Sequence, residues 1–154
     1  MTLKEKLISD VHNAMRSGDR DRVSVLRLLR SSIGYEEIRR QDGLDDTGVI
    51  DVIAREVRQR RESIELYGRA NRQDLVDKEN LELTILQEYL PPQLTLEELT
   101  SLAKIVIENV GVTGPSDKGK VMSKLMPQVR GKAEGKMVNE VVSTLLDEVQ
   151  CDLA

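Results

Sequence analysis

The chain contains no Phe and no Trp, and its only aromatic side chains are Tyr35, Tyr67 and Tyr89. A β-sandwich or barrel draws much of its packing from aromatic and β-branched pairs, whereas helices build cores from Leu, Ile, Val and Met alone. This shortage points to an all-α fold. It also removes the exposed stacking platform on which single-strand RNA binders depend.

Apolar spacing and helix punctuation agree with that reading. Thr2 and Glu5 stand at the separation of a capping box, Leu3, Leu7, Val11 and Met15 repeat along one stripe, and Gly18 stops it. A second helix is predicted from Asp19 to about Arg40, with Leu26, Leu29 and Ile33 facing inward. The stretch QDGLDDTG breaks it. A third helix follows Thr47 with Val49, Ile53 and Val57, is interrupted at Arg60, and resumes with Ile64 and Tyr67 before Gly68 and Asn71. A fourth, from about Arg72 to Leu90, carries Leu83, Leu86 and Leu90 on one side and Leu81 and Ile85 on another.

Pro91-Pro92 halts the fourth helix, because proline lacks an amide donor and restricts the residue before it. The domain boundary is placed there, giving an N-terminal helical part over 1–92 and a C-terminal part over 93–154. Thr95 and Glu98 form a second capping-box pair ahead of Leu99, Leu102, Val106 and Val110, which end at Gly111. The run Ile105-Val106-Ile107 could be a strand in isolation, but the stripe and cap around it favour helix. GVTGPSD is a loop with Ser116 or Asp117 as cap; the next helix carries Val121, Met122, Leu125 and Met126 and is kinked or ended at Pro127. After the turn RGKAEG, a last helix holds Met137, Val141, Val142, Leu145 and Leu146. The expected architecture is a four-helix part followed by a three-helix part.

Other bounds are brief. No apolar run reaches the roughly 18 residues of a membrane span, and MTLKEKLISD carries charge where a secretion signal would be apolar, so the cytoplasm is the expected compartment and no membrane partner is expected. The formal net charge of −4 argues against a general nucleic-acid coat but leaves room for a local basic patch.

Catalysis finds little support. His12 is the only histidine and falls mid-helix, and Cys151 is the only cysteine and lies near the chain end, where a nucleophile is poorly held. Glu36-Glu37, Asp45-Asp46 and Glu97-Glu98 fall on helical faces, in a loop and in a first turn, where acids complement the helix dipole. Neither a metal-ligand motif nor a phosphate loop is present. No catalytic residue, metal or cofactor is expected.

The concentrated charge lies between Lys118 and Lys136, where Lys118, Lys120, Lys124, Arg130, Lys132 and Lys136 face a single acid, Glu134. Lys120 and Lys124 are four apart and share a helical face. Gly131 and Gly135 would let turn amides and a helix N-terminus approach a phosphate. The alternative is a basic face that is simply solvated. A second set, Arg55, Arg58, Arg60, Arg61, Arg69 and Arg72, is interleaved with Glu62 and Glu65, so ion pairs within the helix account for much of it. Arg60, which breaks the apolar stripe, could instead reach the second part or a partner.

GKVMSKLMPQVRGKAEGKMVNEVV, from Gly119 to Val142, resembles the C-terminal signature of the YqeY family. RVSVLRLLRSSI, REVRQRRESIELYGRANRQDLVDKE and ILQEYLPPQLTLEEL are similar to the family's N-terminal stretches, so the resemblance spans nearly the whole chain. Arg130 departs from the lysine usual there, which keeps the charge but changes the hydrogen-bond geometry.

The resemblance extends to the tail of the aspartyl/glutamyl-tRNA amidotransferase B subunit, a helical appendage that contacts tRNA. It implies a non-catalytic module that contacts tRNA or assists a tRNA-dependent amidotransferase. Carbon–nitrogen ligase activity with glutamine as amide donor would then belong to an associated holoenzyme. Carried over by position, Lys118, Lys120, Lys124, Arg130, Gly131, Lys132, Lys136 and Asn139 would form the RNA-facing surface, with tRNA, amidotransferase subunits or another protein as partners. A protein-interaction adaptor that binds no RNA is the alternative.

Overall fold

A computed structural model describes residues 1–112 and 114–153. Seven α-helices and one short 3₁₀ turn account for the regular structure among these residues, and none of it is strand. The all-α expectation holds. By contacts the chain divides into two compact units, Met1–Leu90 and Pro91–Ala154, separated at the start of the double proline.

The first unit contains α1 (Leu3–Ser17), α2 (Arg20–Arg40), α3 (Asp46–Arg69) and α4 (Gln73–Gln87). Thr2 and Glu5 form the full capping box: the Thr2 hydroxyl accepts from the Glu5 amide, and the Glu5 carboxylate accepts from the Thr2 amide. Gly18 closes α1 in the left-handed conformation, and the Asp19 side chain caps α2 by accepting from the Arg22 amide. The buried core joins Leu7 and Val11 with Val25, Leu26, Leu29 and Ile33, then Val49, Val52, Ile53 and Val57, and finally Ile85, Leu86 and Tyr89. Burying each such side chain is worth about 1.5–3 kcal/mol, which makes this set the main stabilising term of the unit.

Several local expectations change. Met15 is 53% exposed and Ala14 takes its place inside. Steps of four residues drift by about 40° each on a helix, so the last member of a long four-step stripe leaves the core face. Leu81 is 47% exposed, which leaves Ile85 alone to carry its side of α4 inward. The third helix begins at Asp46 rather than after Thr47, because Asp45 caps it by accepting from the Gly48 amide at 2.8 Å. Leu44 stands in a loop as read, yet it is buried, and its amide donates to Glu37 Oε1 at 3.0 Å. Arg60 has ion-pair partners inside its own unit: its Nη1 donates to Glu82 at 2.7 Å and to Glu79 at 3.3 Å on α4.

The second unit contains α5 (Leu96–Val110), the 3₁₀ turn Pro115–Asp117, α6 (Lys118–Val129) and α7 (Gly135–Leu153). Thr95 caps α5 by accepting from the Glu98 amide at 3.1 Å, and Gly111 ends it in the left-handed conformation. Ile105-Val106-Ile107 is helical throughout, with Val106 and Ile107 buried. Thr113, within the expected loop, lies outside the described residues. Asp117 occupies the cap position of α6 but forms no side-chain cap bond. Proline 127 does not end α6, which continues to a fully buried Val129. The core is Leu99, Ala103, Val106, Ile107, Val121, Leu125, Val129, Val138, Val142 and Leu146, with Val141 and Leu145 at its edge.

Candidate RNA-contacting surface

Val121, Leu125 and Val129 fix the buried face of α6, and that face decides where its lysines stand. Lys120 and Lys124 lie on the opposite side and are exposed. Lys118 is only half-exposed, because two residues turn a helix by about 200°. It therefore stands away from the Lys120–Lys124 face. The Lys120 ammonium lies 3.4 Å from Asp117 Oδ1, so part of its charge is already balanced.

Helix α6 gives way to a tight turn. The Lys132 amide donates to the Val129 carbonyl at 2.8 Å, Arg130 has φ −56° and ψ 120°, and Gly131 has φ 75°. These values describe a type II β-turn, whose third residue needs positive φ and so favours glycine. Arg130 and Lys132 are exposed on either side of that glycine. Arg130 already has a partner within the protein.

A segment just after the double proline fixes the turn from behind. The Leu94 amide donates to the Lys132 carbonyl at 2.8 Å, and Gln93 Nε2 donates to the Gly131 carbonyl at 2.8 Å and to the Pro91 carbonyl at the same distance. Sequence reading missed Gln93 altogether. Nothing in a lone glutamine signals a bond to a residue 38 positions away. The expected use of turn amides is corrected in part, since the Lys132 and Ala133 amides both donate to Val129 and are not available to a phosphate.

Lys136 and Asn139 occupy the first turns of α7 and are exposed, with Glu140 one turn on from Lys136. The structure thus brings Lys120 with Lys124, and Arg130 with Gly131 and Lys132, while Lys118 stands apart. Asn139 follows Lys136 by three positions and shares its side of α7.

A family model described as Yqey-like protein matches residues 4–146, which includes all eight of these positions. The chain belongs to the YqeY family. Among similar curated proteins, "Altered inheritance of mitochondria protein 41, mitochondrial" of Pyrenophora tritici-repentis is 29% identical over 94% of this YqeY chain and 78% of its own length. The protein of that name from Eremothecium gossypii is 34% identical over 70% of this chain and 60% of its own length. The Kluyveromyces lactis protein of that name is 31% identical, with 84% and 68% covered. These relatives are named as mitochondrial. In the YqeY chain, no helix among the described residues is long and apolar enough to cross a membrane.

Proposed function

We propose that the chain is a non-catalytic helical module that contacts tRNA, or assists a tRNA-dependent amidotransferase, through the α6–turn–α7 surface. One observation carries the reading: α6 holds Lys120 and Lys124 on its solvent side and runs straight into a type II turn that exposes Arg130 and Lys132. Such a row of cations suits phosphate oxygens, and backbone and Gln93 bonds help to fix the turn. Gln93 and Leu94 donate to the inner carbonyls of the turn, and the exposed Lys132 side chain is positioned to meet a polyanion. Lys136 and Asn139 extend the same surface. Lys118 contributes general charge at most.

In this reading any glutamine-dependent carbon–nitrogen ligase chemistry belongs to amidotransferase subunits that the chain accompanies, and tRNA and those subunits are its partners. The compartment we propose is the cytoplasm. The names of the relatives make mitochondria the competing location, and fractionation of the host cell decides between them. The direct test of the surface is a tRNA titration of the intact chain against Lys120→Glu/Lys124→Glu/Lys132→Glu. Submicromolar binding that the triple reversal abolishes supports the reading. Binding that is no tighter than micromolar and indifferent to the reversal removes it.

A further inference from the structure

Helix α2 is amphipathic twice over. Its inner face carries Val25, Leu26, Leu29 and Ile33, yet Leu28, Tyr35 and Ile38 are 58%, 73% and 75% exposed on the outer side. On a different side of α2 from Leu28 and Tyr35 runs the seam between α1 and α2. The helices are antiparallel, since Lys4 near the start of α1 pairs with Glu37 near the end of α2, while Met15 Sδ lies 3.5 Å from Arg27 Nη2 at the other end. Two depressions follow the seam. One, of about 230 Å³, is lined by Leu7, Ile8, Ile33 and Gly34 with Arg30 beside them. The other, of about 440 Å³, is lined by Met15 and Val23 with Arg20 and Arg27.

Both helices present residues along this seam at the spacing a third helix requires. Arg20, Val23, Arg27, Arg30, Gly34 and Ile38 follow one another at three- and four-residue steps on α2, opposite Ile8 and Met15 on α1. That is the repeat of a helix-packing groove. Gly34 makes the groove open. A glycine inside a helix costs roughly 0.5–1 kcal/mol relative to alanine, and a Cβ added at Gly34 would meet nothing within 4 Å. Packing within the unit therefore does not require glycine at this position. What the missing side chain provides is room for a close approach from outside.

Charge selects the occupant. Arg20, Arg27 and Arg30 form no ion pair with the described residues, whereas the nearby carboxylates are committed: Glu37 to Lys4 and the Leu44 amide, Asp19 to the Arg22 amide and guanidinium. A symmetric pairing of two copies through this face would set arginine against arginine. From these observations we infer that the α1–α2 seam docks an amphipathic helix of another protein, one with an apolar stripe and acidic flanks. From Lys4 to Met15 the seam measures about 17 Å, or some three turns of such a helix. The surface lies wholly within the first unit and is independent of the lysine surface of the second.

The test is a titration of the isotopically labelled full chain with a synthetic helical peptide of about 15 residues, leucines at three- and four-residue steps and glutamates flanking them. A counterpart with lysine flanks and phosphatidylserine vesicles serve as comparison probes. The expected result is saturable shifts in the amides of Ile8, Met15, Arg27, Gly34 and Ile38, with the acidic peptide binding about tenfold or more tightly than the basic one. Gly34→Leu should fill the groove and abolish binding while the melting temperature is retained or raised, and Arg27→Glu/Arg30→Glu should reverse the peptide preference. Equal binding of the two peptides, undiminished binding by Gly34→Leu, shifts confined to other surfaces, association with vesicles in place of the peptide, or self-association through the same amides would each overturn the inference.

Discussion

The guanidinium of Arg22, at the start of α2, meets the carboxylate of Glu88, just past the end of α4, along two parallel bonds of 2.7 and 2.9 Å. The two residues are 66 positions apart, so the pair ties an early turn of the first unit to its last one. The hydrogen bond to Arg22 holds the Glu88 carboxyl below its usual range, and the same bond pushes the arginine up. Both side chains keep contact with water, which limits the pair to about 0.5–1 kcal/mol after screening. Arg22→Lys cannot reproduce the two-pronged geometry. Urea unfolding should show a loss of that size, shared by Glu88→Gln and not doubled in the double variant.

Next to this pair, the buried Tyr89 hydroxyl donates to Asp10 Oδ2 at 2.6 Å, and the Lys6 ammonium sits 5.2 Å from the centre of its ring. Tyr89→Phe leaves the Asp10 carboxylate without its donor and should cost about 1–3 kcal/mol. Burial, then Asp10, raises the phenol well above its ordinary 10.0. A folded state that retains this proton longer than the unfolded chain loses stability as pH rises above 10. Denaturation midpoints taken on the alkaline side should fall more steeply for the parent than for Tyr89→Phe.

Glu36 responds to acid. Its carboxylate is 5% exposed and accepts from Arg39 Nε at 3.0 Å and Arg40 Nε at 2.6 Å, with Arg55 3.7 Å away. Hydrogen bonds from Arg39, then Arg40, lower its pKa from 4.5 to about 2. The depressed value means the contribution is fully present above pH 4.5 and disappears as pH falls towards 2. Glu36→Gln should flatten the acid limb of the stability profile over that window. An unchanged acid limb would show that the three arginines do not hold the carboxylate in solution.

The turn in the middle of the candidate RNA surface can be tested without RNA. Gly131 has φ 75°, so Gly131→Ala should destabilise the second unit by about 1 kcal/mol or more, and Gly131→Asn by less, because asparagine tolerates that conformation. Gln93→Ala removes the donor to the Gly131 carbonyl and should cost about 1 kcal/mol. Hydrogen exchange at Lys132 and Ala133, whose amides close the turn on Val129, reads the same loosening locally.

How much of this was legible in the sequence depended on the range of each interaction. Thr2, Asp19, Thr95, Gly18 and Gly111 act on their own helix ends through short-range bonds, and each was readable where it stood. The inner faces of α2, α3 and α7 followed from three- and four-residue spacing. Met15 and Leu81 did not, because a stripe carried too far rotates off the face that tertiary packing selects. Arg60 broke a stripe for a reason carried by α4, where Glu79 and Glu82 wait, and periodicity has no access to a neighbouring helix. The candidate surface divides in the same way. Helical spacing revealed the shared face of Lys120 and Lys124, and the local geometry that sets Lys118 apart and brings Asp117 to Lys120 lies within the same turn, but the Gln93 bond depends on the chain folding back on itself.

The salt dependence of tRNA binding tests the central claim most directly. If Lys120, Lys124, Lys132 and Lys136 replace counterions on phosphates, log Kd against log salt should have a slope of about 2–4, and Lys124→Glu/Lys132→Glu should lower that slope by roughly two while weakening affinity at low salt. A slope near zero, or one that the double reversal leaves unchanged, would contradict the assignment of this surface to RNA.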